Sequence, residues 1–415
     1  MKYPQEQLIR ITLTLSLIVL AARYIEAQPT NTDVSLCALT DKALKHASEV
    51  RELTPRSPVP CVVEDKAAVT QFLQDTIRED LPPQKLAMEE LAYRAIGLIP
   101  DSFDYQHGLV EFLVGQIGGY YNPKKKLFVM AGWLPALVQQ GVAVHELTHA
   151  LQDQHYNLTS IINAKNATTD AGLAASALIE GDASAVMYDY QGRQESNRTL
   201  QSAESIESIL LLQVLGLGLA GDVPESLKAI LIFPYTSGLR FVHLLLKHGG
   251  YAHVHKAYTR VPTTTREILH PEDYLKGLFS PSIPLDTEVD AAPPGVQPEY
   301  ADVLGEFGIS SIFRGAAATK ERGVAAAAGW VGDKLVVFPV RDQLRVISWL
   351  TRWETERDAI EFETLYREYL AAVSQRDGGA GSGELSPTKS VAINRHGSSV
   401  SVVVKIGELT ARTRS

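Results

Sequence analysis

The sequence predicts a mainly helical α+β protein with a short β element and a C-terminal α+β unit. Apolar residues recur at helical spacing through most of residues 66–248. Runs of β-branched and aromatic residues bounded by turn residues are confined to residues 113–132 and to the chain beyond about residue 285. Helices and strands segregated along the chain in this way are typical of α+β folds.

The composition indicates which broad class the protein belongs to. The 415 residues are 45% hydrophobic and 21% charged, with a formal net charge of −9. This is the composition of a globular protein, and the length allows two or three domains. The charges form neither a basic stripe nor a long acidic block, so nucleic acid is not an expected partner.

The first 27 residues have the pattern of a secretory signal peptide. Lys2 and Arg10 flank the start of an apolar run at 11–22, and Ala27 lies at a suitable cleavage position. The run is shorter than the ~20 apolar residues that a membrane-spanning helix needs. We therefore predict an exported protein, secreted or periplasmic, with no stable membrane span after signal cleavage. An uncleaved anchor is the alternative.

The cysteine content agrees with export. The chain has two cysteines, Cys37 and Cys61, both early in the predicted mature protein. In an oxidising compartment the simplest expectation is one disulfide between them.

Helical spacing alternates with one hairpin in the first half of the mature chain. Residues 66–100 predict two helices separated at Pro82 and Pro83. Residues 113–132 predict a hairpin with its turn near Asn122. Residues 134–158 return to helical spacing.

The remaining elements follow in order. A helix is expected at 168–190, capped by Thr169 or Asp170, and two more at 206–218 and 237–248. A Pro-rich stretch at 291–298 then divides a first domain, 28–290, from a C-terminal α+β unit, 291–415, which either packs on the first domain or moves freely. That unit comprises strands at 334–340 and 345–353, a helix at 356–373, a flexible loop at 377–387 and a hairpin at 389–406.

The segment VAVHELTHALQDQH, residues 142–155, carries the strongest chemical signal. His145 and His149 are four residues apart, so a helix would place both imidazoles on one face, as a single metal ion requires. Glu146 is positioned to hold a water at the open position of the ion and to take its proton. The pattern H-E-x-x-H on a helix therefore predicts a catalytic metal site.

A third protein ligand is needed, and His155 is one candidate. It follows His149 by six residues, the spacing of the pattern H-E-x-x-H-x-x-G-x-x-H. That pattern uses glycine to end the helix, whereas this chain has Gln152. If the helix continues, His155 points away from the other histidines.

Glu180 is the preferred third ligand. It lies in an apolar, Ala-rich helix next to Gly181, and small neighbours would let this helix approach the metal helix closely. A carboxylate on an inner apolar face needs a partner, which a metal ion supplies. A lysine or arginine partner is the alternative. Asp153, or else His155, is a candidate to orient a ligand imidazole from behind.

If such a metal site acts on a carbonyl group, a histidine or tyrosine donor would help to stabilise the oxyanion that forms. His270 and Tyr235 each lie next to a proline on a predicted loop. We take His270 as a second candidate catalytic residue and Tyr235 as a candidate oxyanion donor.

The arrangement of His145, Glu146, His149 and Glu180 resembles that of the gluzincin group of zincin metallopeptidases. Segments over most of the mature chain are similar to exported bacterial proteins described only as metallopeptidases: HELTHALQDQH, LIEGDA, FPYTSG, TTREILHPEDY, AAAGWVGDK and WETERDAIEF. The resemblance implies a zincin-like core within 28–290 and one zinc ion per chain. It further implies an endopeptidase that cleaves a protein or peptide substrate with a water activated by Glu146.

Two other functions use the same residues. A zincin core without proteolysis would serve as a binding or assembly protein through its C-terminal unit, although it would not need Glu146 chemically. A metal hydrolase acting on another bond would differ only in its pocket.

Overall fold

The computed structural model describes residues 36–80, 83–162, 168–195, 198–218, 223–278, 283, 288–341, 344–377 and 388–407. The predicted signal peptide and nearly all of the predicted loop at 377–387 lie outside these ranges. Within them the protein is mainly helical with two small sheets, which confirms the predicted α+β class.

A disulfide fastens the start of the described chain. Cys37 and Cys61 are bonded, with their Cα atoms 5.6 Å apart, as the sequence predicted. Cys37 precedes helix α1 (Thr40–Arg51), and Cys61 begins strand β1 (Cys61–Glu64). The bridge therefore joins the first helix to the first sheet.

Removing this bridge should destabilise the protein. It closes a loop with a sequence separation of 24 residues, and a loop of this size is expected to contribute about 3 kcal/mol, mainly by restricting the unfolded chain. We expect Cys37→Ser/Cys61→Ser to lower the free energy of unfolding by that amount in urea titrations without reductant. A loss below about 1 kcal/mol would contradict this expectation.

The first sheet has three strands in the order β1-β3-β2. Strands β2 (Gly119–Asn122) and β3 (Leu127–Ala131) form the predicted hairpin, and β1 pairs with β3 in parallel. Strand β2 is consequently an edge strand. Before it come helices α2 (Lys66–Asp80), α3 (Pro83–Ile96) and α4 (Tyr105–Gln116). Pro83 begins α3, where its missing N–H costs no hydrogen bond.

Five helices build the centre of the molecule: α5 (Ala136–Tyr156), α6 (Leu158–Ile162), α7 (Thr169–Glu195), α8 (Glu207–Gly218) and α9 (Glu225–Thr259). Helix α7 packs against both α5 and α9. A Cβ atom added at Gly181 would lie 2.2 Å from the Gly238 carbonyl oxygen, so two glycines allow α7 and α9 to cross. The close contact of Gly181 itself is with α9 and not with α5, the helix that carries His145 and His149.

Helix α9 is much longer than the predicted segment 237–248. It runs through Pro234 and contains non-helical backbone at Gly249 and Gly250. Among the described residues it is the one helix long and apolar enough to cross a membrane, but 67% of its most apolar window is buried inside the protein. Its apolar length is accounted for by packing against α7 in the core.

The C-terminal part contains an antiparallel five-stranded sheet of order β4-β5-β6-β8-β7. Its aromatic core includes Trp349 and Phe362, with ring centroids 5.7 Å apart. The strands of this sheet are β4 (Tyr300–Asp302), β5 (Trp330–Arg341), β6 (Leu344–Trp353), β7 (Thr388–His396) and β8 (Ser399–Gly407). The helices after α9 are α10 (Thr265–Leu269), α11 (Pro271–Lys276), α12 (Gly305–Ile312), α13 (Gly323–Ala327) and α14 (Glu356–Asp377). Two 3₁₀ turns, Phe313–Gly315 and Lys320–Arg322, lie between α12 and α13.

The C-terminal sheet is fastened to the start of α7. The backbone N–H and hydroxyl of Thr169 each donate a 2.7 Å hydrogen bond to Asp302 at the end of β4. Asp170 in turn accepts from the backbone and hydroxyl of Thr265. Neither Thr169 nor Asp170 caps its own helix as predicted, because both side chains are engaged with other elements. The hydroxyl of Thr168 instead accepts from the backbone of Ala171 at 3.3 Å.

A buried carboxyl near this junction should make stability depend on pH. Glu89 of α3 accepts a 2.6 Å hydrogen bond from the Tyr105 hydroxyl. Burial raises the pKa of Glu89 from 4.5 to about 7, although the hydrogen bond from Tyr105 opposes the rise. The folded protein therefore holds this proton more tightly than the unfolded chain, and the free energy of unfolding falls as the pH rises between these two values.

At pH 8 we expect the free energy of unfolding of Glu89→Gln to be about 3 kcal/mol higher than that of wild type. At pH 4 the two free energies should differ little. Urea titrations at the two pH values measure this difference. Glu111→Gln, which alters an exposed carboxylate of α4, is the control and should show no such contrast. Equal stability of Glu89→Gln and wild type at pH 8 would count against the buried-carboxyl account.

Candidate metal centre

Helix α5 places the two predicted histidine ligands side by side. The imidazoles of His145 and His149 are one turn apart, with ring centroids separated by 4.8 Å and planes at 80°. They are 1% and 5% exposed. Val144, Leu147 and Leu151 are also buried, so the helix is enclosed on several sides, as the sequence predicted.

Helix α7 brings Glu180 to the same point. Its Oε2 lies 3.2 Å from His145 Nε2 and 3.4 Å from His149 Nε2. One ligand atom from each of the three residues lies within 4.8 Å of the others. The preferred three residues thus form a cluster that can hold a metal ion.

The charges of the cluster favour a cation. Burial alone would raise the pKa of Glu180, but His149 and His145 hold that pKa below its ordinary value. Burial opposes protonation of His149, yet Glu180 raises the pKa of His149 to about 9, while burial lowers the pKa of His145. The enclosed carboxylate therefore attracts one positive charge, which either the His149 proton or a metal ion can supply.

The donor atoms also fit a metal ion. His149 Nε2 and Glu180 Oε1 are buried and make no hydrogen bond to any described residue. Such atoms are rare in folded proteins because each costs about 1–3 kcal/mol. Two imidazole nitrogens and a carboxylate oxygen around one point are a ligand set for zinc with an open position.

Glu146 faces the edge of the first sheet. The backbone N–H of Tyr121 in β2 donates a 2.9 Å hydrogen bond to Glu146 Oε2, and the glutamate is fully buried. Since Glu146 directly follows His145, its carboxylate is presented between the histidine pair and strand β2. This position suits a base that takes a proton from a water at the metal.

Gln152 orients one of the candidate ligands, a role that was not predicted from the sequence. Its Oε1 lies 2.8 Å from His149 Nδ1, which turns the Nε2 atom of that ring toward the cluster. The signal was present in the sequence, because residues three apart on a helix share a face.

Asp153 and His155 do not take the predicted positions. Asp153 accepts hydrogen bonds from the Tyr121 hydroxyl at 2.8 Å and from Lys126 Nζ at 2.6 Å, so it anchors the hairpin and not an imidazole. His155 Nε2 lies 2.9 Å from the carbonyl oxygen of Thr54. Because α5 continues as a helix past Gln152, His155 is turned away from the cluster.

His270 lies between α10 and α11, with Nε2 2.9 Å from Glu306 of α12. The hydrogen bond to Glu306 raises the pKa of His270. Helix α10 is anchored through Thr265 to Asp170, and Glu180 lies about 15 Å farther along α7. His270 does not belong to the cluster of His145, His149 and Glu180, and its imidazole is paired with Glu306. Its role as a catalytic residue stays a prediction.

Tyr235 lies inside α9 and not on a loop, so that part of the prediction was wrong. It is 1% exposed and lies one turn before Gly238, where α9 crosses α7. Its role as an oxyanion donor stays a prediction.

The fold and site together define an α+β protein with a buried candidate metal centre of two histidines and one glutamate. Residues 295–412 match a family described as a domain of unknown function, DUF8575. This match overlaps the C-terminal sheet and does not reach the candidate metal centre. No curated protein and no solved structure matches the chain.

Proposed function

We propose that this protein is an exported zinc-dependent peptidase that hydrolyses peptide bonds with a water activated by Glu146. The observation that carries the proposal is the convergence of His145, His149 and Glu180 on one point, with Glu146 beside them on α5. The resemblance to gluzincins supports peptide hydrolysis in particular, because that group uses the same arrangement of two histidines and two glutamates. The Cys37–Cys61 disulfide is compatible with an extracellular location.

Zinc accounts for the ligand set best. Imidazole and carboxylate ligands suit zinc, and catalytic zinc sites have three protein ligands and one open position. When bound, zinc would polarise a carbonyl group and lower the pKa of a coordinated water to about 7.

The remaining chemistry belongs to the residues of the chain. The Tyr121 N–H holds the Glu146 carboxylate in place through Oε2. Glu146 can then accept the proton of the attacking water and deliver it to the leaving amine, as general acid–base catalysis requires. The ionised form suits the first step because a carboxylate is a base only without its proton.

Strand β2 is the proposed guide for the substrate. It is the outer strand of its sheet, and the N–H of Tyr121 points to Glu146. An extended peptide added along this edge would bring its backbone to the catalytic carboxylate. All four residues of β2 are buried, so entry of a peptide requires the covering elements to move. We therefore expect unfolded chains to be cleaved in preference to folded proteins.

The test is cleavage of an unstructured protein by mature protein stripped with a chelator and then reloaded. We expect no cleavage without metal and full recovery with one equivalent of zinc, but not with magnesium. Cleavage that persists in the stripped protein, or zinc binding without any hydrolysis, would contradict the proposal.

The burial of the site favours one second candidate, a metal-holding protein without proteolysis. Glu146, His145, His149 and Glu180 are at most 5% exposed. Stoichiometric zinc together with no cleavage of unfolded proteins or peptides would support this alternative.

A further inference from the structure

We infer that Arg51, Asp182 and Gln152 form a positioning chain that fixes the imidazole of His149 for metal binding. The inference deepens the proposed function by assigning residues that control the same centre. It depends on the metal site and not on which bond is hydrolysed.

The chain is continuous through hydrogen bonds. Gln152 Oε1 holds His149 Nδ1 at 2.8 Å, and Gln152 Nε2 donates to Asp182 Oδ2 at 3.0 Å. The Arg51 guanidinium holds the other end, with Nε 2.7 and 2.9 Å from the two Asp182 oxygens. Tyr258 donates a further 3.0 Å hydrogen bond to Asp182. Gln152 Nε2 also donates a 3.1 Å hydrogen bond to the Ile179 carbonyl oxygen. The Asp182 carboxylate and this carbonyl oxygen together determine the orientation of the Gln152 amide, with its nitrogen facing these two acceptors and its oxygen facing the imidazole.

The ion pair at the end of this chain is fully enclosed. Arg51 is 1% and Asp182 0% exposed. The guanidinium also lies 5.1 Å from the centre of the Tyr251 ring. Burying such a pair removes two charges from water, and buried pairs commonly stabilise no better than well-packed apolar residues. Stability alone is therefore a weak account of this pair, whereas orientation of Gln152 gives it a specific task.

Only one of the two histidine ligands is held in this way. His145 Nδ1 is buried without a hydrogen bond to any described residue, whereas His149 Nδ1 has Gln152. The ring of His145 is placed by its packing and by Glu180. The positioning chain consequently acts on His149 specifically and is not general support for the cluster.

The chain also makes α1 part of the metal centre. Arg51 is the last residue of α1, and Glu52 ends the helix in the left-handed conformation, with φ of 62°. The Cys37–Cys61 bridge fastens the segment just before α1. The N-terminal helix is thus fixed at both ends, and one of these ends reaches the ligand His149 through Asp182 and Gln152.

The test compares zinc affinity with apoprotein stability. Gln152→Leu removes the acceptor for His149. Arg51→Met/Asp182→Leu replaces the ion pair by apolar residues of similar size and leaves no charge unpaired. Gln154→Leu is the matched control, because Gln154 lies on the same helix but bonds to Arg56 and Ser57. Zinc dissociation constants come from competition with a chromophoric chelator, and stability comes from urea unfolding of the metal-free proteins.

We expect Gln152→Leu to raise the zinc dissociation constant about 10- to 100-fold and the double variant to raise it about tenfold. Gln154→Leu should leave it unchanged. A merely structural role would lower the urea midpoint of the double variant and leave its zinc affinity at the wild-type value, which would overturn the inference. Unchanged affinity in Gln152→Leu would also overturn it. Neither measurement depends on peptide cleavage. A failure of the proposed peptidase activity can therefore be told apart from a failure of this inference.

Discussion

Glu146→Gln should lower kcat/KM for peptide cleavage by about 10²- to 10⁴-fold while the protein keeps its zinc. The amide has nearly the shape of the carboxylate and can still accept the 2.9 Å hydrogen bond from Tyr121, but it cannot take a proton from water. General acid–base catalysis contributes an effect of this size. Steady-state cleavage of a fluorogenic peptide, with zinc content measured on the same sample, gives both quantities.

The control for this variant is Glu64→Gln. Glu64 is a β1 carboxylate that accepts from the Tyr120 hydroxyl at 3.3 Å, so the same chemical change is made in the sheet that Glu146 contacts, without altering the three candidate ligands. We expect near wild-type cleavage there. If Glu146→Gln cleaved the peptide with more than about one-tenth of the wild-type kcat/KM, Glu146 would not be the catalytic base.

Glu180→Ala should abolish stoichiometric zinc binding. The substitution removes one of three ligands and the negative charge that raises the pKa of His149 to about 9. Only the two imidazoles would then remain, whereas a catalytic zinc site normally has three protein ligands. Elemental analysis after dialysis against a weak chelator measures the retained zinc.

His155→Ala separates the two candidate third ligands. His155 contacts the carbonyl oxygen of Thr54, so its removal should leave one zinc per chain. Loss of zinc from His155→Ala, with retention in Glu180→Ala, would reverse the assignment and favour the geometry of the longer histidine pattern.

Local patterns predicted the residues that share one helix. The spacing of His145, Glu146 and His149 specifies one face of α5, and the surrounding apolar residues made that helix recognisable. Glu180 was also predictable, because a carboxylate in an Ala-rich helix requires a partner. These inferences depend on helical periodicity and on the cost of burying charge, both of which can be evaluated from sequence.

Residues whose partners are far away in sequence were predicted poorly. Asp153 lies on the same helix as the ligands, but Tyr121 and Lys126 of the hairpin occupy its carboxylate. The pairing of Arg51 with Asp182 joins residues 131 positions apart, and no local pattern indicates it. Such contacts depend on how helices are placed in space, which periodicity does not determine.

In the C-terminal part too, local elements were predictable from the sequence, whereas contacts between distant residues were not. Its strands and helix were predicted from alternation and spacing, and they are found at nearly the predicted positions. Its attachment to the helical part could not be predicted, because it depends on hydrogen bonds from Thr169 to Asp302. The matched family covers this part of the chain, whereas the candidate metal centre lies before it.

The most direct measurement of the central claim is the anomalous scattering of zinc in crystals of the mature protein, purified without chelator. The account predicts a single strong peak at full occupancy, bounded by His145 Nε2, His149 Nε2 and the Glu180 carboxylate, at zinc–ligand distances of about 2.0–2.2 Å. The absence of any peak, or a peak coordinated by other residues, would contradict it.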